Sequence, residues 1–123
     1  GGNGIKPLSL QKRDIEIQKV ITVDAKTLKL SVWDNERVDG DKISLSLNGR
    51  WILRNYEIVK EKHEFEIKLI PNQINQLVFF AENLGTIPPN TSAINIQYEG
   101  YNKTHIMRSN LDKSGCINFF FEE

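Results

Sequence analysis

Apolar and polar residues alternate along much of this chain with a period of two. Leu28, Leu30 and Val32 are separated by Lys29 and Ser31; Ile43, Leu45 and Leu47 by Ser44 and Ser46; Phe65, Ile67 and Leu69 by Glu66 and Lys68. Successive side chains of an extended strand point to opposite faces, so each segment predicts a strand with one apolar face and one wet face. Ile94, Ile96 and Tyr98 around Asn95 and Gln97 repeat the pattern. Residues 15–23, 77–81, 104–107 and 116–121 are less regular strand candidates, which brings the expectation to eight or nine strands. Phe119, Phe120 and Phe121 in succession predict a last strand buried on both faces or covered by another element.

Between these segments lie turn signals. Asn48-Gly49 separates two apolar runs, and a type I′ turn needs positive φ at both central positions, so this pair predicts a two-residue hairpin. Residues 85–90 (GTIPPN) cannot continue a strand, because each proline removes a donor and fixes φ, and they predict an ordered loop. Gly100 and Ser114-Gly115 predict two further turns, and residues 71–75 (PNQIN) a helical turn at most. Short strands at this spacing predict an all-β fold, an antiparallel two-sheet β-sandwich of immunoglobulin-like or jelly-roll type.

Composition supports that picture. Only Ala25, Ala81 and Ala93 supply alanine, while isoleucine is abundant, a bias that suits pleated surfaces more than helices. The 123 residues are enough for one domain. Residues 14–123 are expected to form it, and residues 1–13, opening GGNG, read as a flexible linker, a cloning scar or the stretch after a removed signal. Lys plus Arg and Asp plus Glu both total 16, so no basic field draws a phosphate backbone and nucleic-acid binding is not expected. No apolar run approaches the roughly 20 residues that cross a bilayer, so no direct membrane insertion is expected. The single cysteine, Cys116, excludes an internal disulfide and a Cys-cluster zinc site.

Candidate chemistry gathers in residues 34–41. Four carboxylates and Arg37 fall within eight residues there, and Asp34, Asn35, Asp39 and Asp41 could offer oxygen ligands to a hard cation, calcium, around a turn at Gly40. The EF-hand spacing fails: counted back from Gly40 it puts Arg37 at a ligand position and Ser46 where the bidentate Glu belongs. A solvated acidic loop partly neutralised by Arg37 is the competing reading. Trp33, Trp51, Tyr56 and Tyr101 are candidate rings for stacking on a sugar, with Glu82 and Asn83 as polar partners; core packing competes for each ring. Trp33, Trp51, Tyr101 and Asn83 form the expected ligand-binding set. His63 lies in a charged stretch and His105 alone in a strand, with no nucleophile motif, so an enzyme is not expected. Asn90-Thr91-Ser92 and Asn102-Lys103-Thr104 match the glycosylation sequon, a pattern common by chance.

Several phrases carry a resemblance: Ser31-Val32-Trp33-Asp34-Asn35, Val38-Asp39-Gly40-Asp41 running into Leu47-Asn48-Gly49, then Ala81-Glu82-Asn83-Leu84-Gly85 and Ile87-Pro88-Pro89-Asn90-Thr91. Together these resemble a small β-sandwich domain of secreted, lipoprotein and outer-membrane-associated proteins of the Bacteroidetes, over roughly Asp14 to Phe121. The resemblance implies a non-catalytic module, secreted, at the cell surface or periplasmic, and a monomeric part of a larger chain. Two functions are then expected. One is a binding module for a glycan, calcium-assisted through the acidic loop; the other is a structural or protein-interaction domain that docks a surface protein. An exposed tryptophan beside the acidic loop would favour the first, a free sheet edge or flat apolar surface the second.

Overall fold

Nine strands arise from these alternating segments in a computed structural model that describes residues 14–36, 38, 40–83 and 90–123. They are β1 (Asp14–Val23), β2 (Thr27–Trp33), β3 (Lys42–Leu47), β4 (Arg50–Glu57), β5 (His63–Lys68), β6 (Ile74–Ala81), β7 (Asn90–Tyr98), β8 (Tyr101–Ser109) and β9 (Lys113–Phe121). A five-stranded sheet runs β1-β9-β6-β3-β4 and a four-stranded sheet runs β5-β2-β7-β8. The order β9-β6-β3-β4 with β5 beside β2 follows the G-F-C-C′ and B-E neighbours of the immunoglobulin arrangement. The β7–β8 hairpin enters between the F-like and G-like strands and lies on the other side of β2. One pairing departs from the antiparallel expectation: β1 runs parallel to β9, a pairing open to strands so far apart in sequence.

The core is the apolar half of each alternation. Leu28, Leu30 and Val32 of β2 and Ile94 and Ile96 of β7 meet Ile43 and Leu45 of β3, Leu77 and Phe79 of β6, and Ile117 and Phe119 of β9, all buried. Burying such side chains contributes about 1.5–3 kcal/mol each. The Asn48-Gly49 hairpin is as expected, with φ of 52° and 84°, and it joins Leu47 to Arg50. At residues 71–75 the chain makes a turn and then enters β6, so no helix forms there.

Two expectations are corrected. The polar face of β3 is not wet: Ser44 and Ser46 are as buried as Ile43 and Leu45. They lie on the outer side of the five-stranded sheet, where a register row runs Ile17, Cys116, Val78, Ser46, Trp51 across all five strands. Buried Val78, Phe80 and Cys116 form a second, smaller apolar cluster there, against which Trp51 packs. Ser114-Gly115 is not a turn either. Both residues lie in β9, and the reversal before it uses Asn110, whose Oδ1 accepts from the N–H groups of Asp112 at 2.8 Å and Lys113 at 2.7 Å. Gly115 is a close-approach position: a Cβ there would come within 2.8 Å of the Arg108 carbonyl oxygen and 2.9 Å of Gln18 Nε2. The expected loop at 85–90 lies outside the described residues up to Asn90, which opens β7.

Candidate functional site

Strand directions give the sandwich two ends. β2, β4, β6 and β8 finish at the end carrying residues 34–41, here the loop end; the Asn48-Gly49 and Glu99-Gly100 turns mark the opposite, hairpin end. Trp33, Asp34, Asp41 and Asn83 lie at the loop end, and Trp51 and Tyr101 at the hairpin end.

The acidic loop is anchored mainly through backbone. The N–H of Asp34 donates to the Val59 carbonyl at 2.7 Å, and the N–H of Ile58 donates to the Asp41 carbonyl at 2.9 Å, so both ends of the loop hang on adjacent residues. Both aspartates are only 3% exposed. Oδ1 of Asp34 accepts from the N–H of Glu36 at 2.9 Å, a local turn that explains an aspartate at this position without a ligand. Asn35 is exposed, and Asp39 and Arg37 lie outside the described residues. Among the described residues no three His, Cys, Asp or Glu side chains converge as a metal would require.

Asn83 closes the loop from β6. Its Oδ1 accepts from the N–H of Lys42 at 2.8 Å and its Nδ2 donates to the Gly40 carbonyl at 3.1 Å. Asn90 reinforces it, donating to the carbonyls of Lys42 at 3.1 Å and Asn83 at 3.2 Å. Beside them Ser44 Oγ donates to Glu82 and accepts from the N–H of Asn55 at 2.9 Å. These amides and this carboxylate therefore do structural work: they satisfy backbone groups where three strands end.

The candidate rings fall on three separate surfaces. Trp33 is half-buried on the outer face of the four-stranded sheet, with Lys62 Nζ 4.7 Å from its ring centroid. Trp51 lies on the outer face of the five-stranded sheet, edge-on to Phe80 at 5.3 Å, with the Arg54 guanidinium 4.8 Å from its centroid. Tyr101 stacks on Tyr98 at 4.8 Å with the ring planes nearly parallel, and both pack on the main core; burial first and Tyr98 second raise its pKa above the ordinary tyrosine value. Tyr56 packs against His63 at 4.9 Å, and His63 in turn against Phe65 at 5.9 Å. His105 faces inward from β8, where burial first, then Lys19 and Lys103, hold its pKa below the usual histidine value. Trp33, Trp51 and Tyr101 thus lie on three different surfaces, and Tyr56 packs against the main core.

A feature that the sequence reading passed over is the side of the molecule where β1 and β8 lie. Outer-face Ile15, Ile17 and Val20 of β1 are 37%, 53% and 71% exposed. Below them Gln18 leaves the strand line at a bulge and turns toward β8, its Oε1 accepting from the N–H of Arg108 at 3.2 Å and its Nε2 donating to the Arg108 carbonyl at 2.8 Å. Ser109 adds a link between the sheets, donating to the Phe79 carbonyl at 2.7 Å and accepting from the N–H of Gly115 at 3.0 Å. An open cleft of about 280 Å³, lined by Glu16, Arg108, Ser109, Asn110 and Lys113, follows this side. The signal in the sequence was Ile15-Glu16-Ile17, which fits a core-facing strand as well as an edge strand.

The fold is thus an all-β domain of two packed, mostly antiparallel sheets. Comparison with family models, curated proteins and solved structures finds no match for this chain. No helix among the described residues is long and apolar enough to cross a membrane.

Proposed function

We propose that this sandwich is a non-catalytic interaction module that meets a protein through the β1 side of its five-stranded sheet. The observation that carries the reading is Val20, 71% exposed beside Ile17 at 53% on an edge strand with one strand neighbour among the described residues. A strand edge offers unpaired backbone groups, and apolar side chains above it add the burial that makes pairing favourable. The rings that a glycan site would use point elsewhere. They sit on different surfaces, and Lys62, Arg54 and Tyr98 already lie against them. Placement of the module in an exported parent chain rests on the motif resemblance alone.

A photo-crosslinker at position 17 is expected to give protein adducts in the native cells, while one at Lys29, on the outer face of the other sheet, gives none. Tryptophan fluorescence titrated with a panel of polysaccharides is expected to stay flat. A saturable change that Trp33→Ala removes would overturn the reading in favour of a glycan module.

A second reading gives the loop end a calcium ion on Asp34 and Asp41, two aspartates only 3% exposed whose backbones are held to the adjacent residues Val59 and Ile58. An ion that binds only the folded state adds RT ln(1 + [L]/Kd), about 2.7 kcal/mol at a hundredfold excess over Kd. Wild-type melts should then rise in calcium over chelator and those of Asp41→Asn should not; identical wild-type melts reject the ion.

A further inference from the structure

We infer that the protein received by the β1 edge is a second copy of this chain, its β1 paired antiparallel with the first about a two-fold axis at Ile17. This rests on the interaction-module reading above and names its partner. Among the described residues the sheets have four edge strands, and three are defended. β4 bulges near Asn55, at φ 50°, and carries Arg50, Arg54 and Glu57. β5 alternates Glu64, Glu66 and Lys68. β8 has the Arg108 peptide groups closed by the Gln18 carboxamide. Charges, bulges and covers of this kind keep edges from pairing. β1 has a bulge and charged residues too, but its extra residue is turned inward and Asp14, Glu16 and Lys19 all lie on the inner side, which leaves Ile15, Ile17 and Val20 on one outer face.

The strand is also complementary to itself. With Gln18 out of line, antiparallel pairing centred on Ile17 sets Ile17 against Ile17, Ile15 against Val20, and Glu16 against Lys19. The two-fold axis makes the last two contacts occur twice, as an isologous interface requires. Glu16 and Lys19 are in register with Gly115 and Ile117 on the inner side, and both are exposed. Opposite charges therefore meet beneath a continuous apolar strip, and the two five-stranded sheets become one of ten.

Sedimentation of the full chain from about 1 µM to 1 mM tests this. The wild type should pass from monomer to dimer across that range. Glu16→Lys places lysine against lysine twice and should weaken the dimer about tenfold or more. Glu16→Lys/Lys19→Glu restores the pairing with the charges exchanged and should return wild-type affinity, an outcome that no folding defect can mimic. Val20→Lys, with a wild-type circular dichroism spectrum, should leave only monomer. A wild type monomeric throughout, a dimer indifferent to Val20→Lys, or a double exchange that fails to restore affinity overturns the second-copy assignment. None of these touches the broader reading, which falls separately on the polysaccharide titration.

Discussion

Asn75 shows one buried amide standing in for missing backbone partners. Its Oδ1 accepts from Ile70 N–H at 2.8 Å and Asn48 Nδ2 at 2.9 Å, and its Nδ2 donates to the carbonyls of Ile70 at 2.9 Å and Gln73 at 3.0 Å. It joins the β5–β6 connection to the Asn48-Gly49 hairpin, and it has no exposure. Asn75→Ala strands several buried groups at once, so urea unfolding should show a loss of about 3 kcal/mol. His105 makes a different demand. Its Nε2 is buried and finds no hydrogen-bond partner among the described residues, and burial, Lys19 and Lys103 disfavour its charged form. A histidine whose pKa is lower folded than unfolded must bind its proton at the expense of the fold. The stability it supports is therefore whole above the ordinary value of about 6.5 and declines as pH falls from there through the lowered folded value. Melts of wild type and His105→Gln between about pH 7.5 and 5.5 should converge toward the acid end; a constant difference would show that His105 does not titrate as described.

In β3 and β9 the neighbouring strands decide what the local pattern means. The alternation of β3 located the strand and its inward residues Ile43 and Leu45, while saying nothing of what lies over Ser44 and Ser46, which are buried too. Period two reports which residues share a face, and only neighbours decide whether that face is wet. In β9 the Ser114-Gly115 pair looked like a turn because glycine is most often recruited for positive φ. Here it is recruited for absence of a side chain. Gly115→Ala should cost about 1–3 kcal/mol, since the clash is with the Arg108 carbonyl, which is backbone. Gln18→Ala in addition should not relieve it; full recovery in the double variant would move the clash to the glutamine. Gly49, with φ of 84° and open space around it, is the opposite case, and Gly49→Val should cost about 1 kcal/mol or more through conformation alone.

For the whole molecule, Cys116 reports on integrity. It has no exposure, its Sγ donates to Asn118 Oδ1 at 3.3 Å, and burial, opposed in part by Gln76, pushes its thiol up to about 12. Thiolate is the reactive form, so modification by an aromatic disulfide at neutral pH should be slow and follow global unfolding, rising in parallel with loss of the β signal in urea. Reaction well below that transition would mean that the outer face opens by itself. The strands, the Asn48-Gly49 hairpin and most of the core were legible in the residues, because period two and positive φ are local properties that the chain states wherever it folds. The parallel partner of β1, the second buried layer over β3, the dispersal of Trp33, Trp51 and Tyr101 over three surfaces, and the exposure of Ile17 and Val20 were decided only in the tertiary structure. Those depend on which strand lies beside which, a choice set by packing between residues far apart in sequence, to which no local pattern is sensitive.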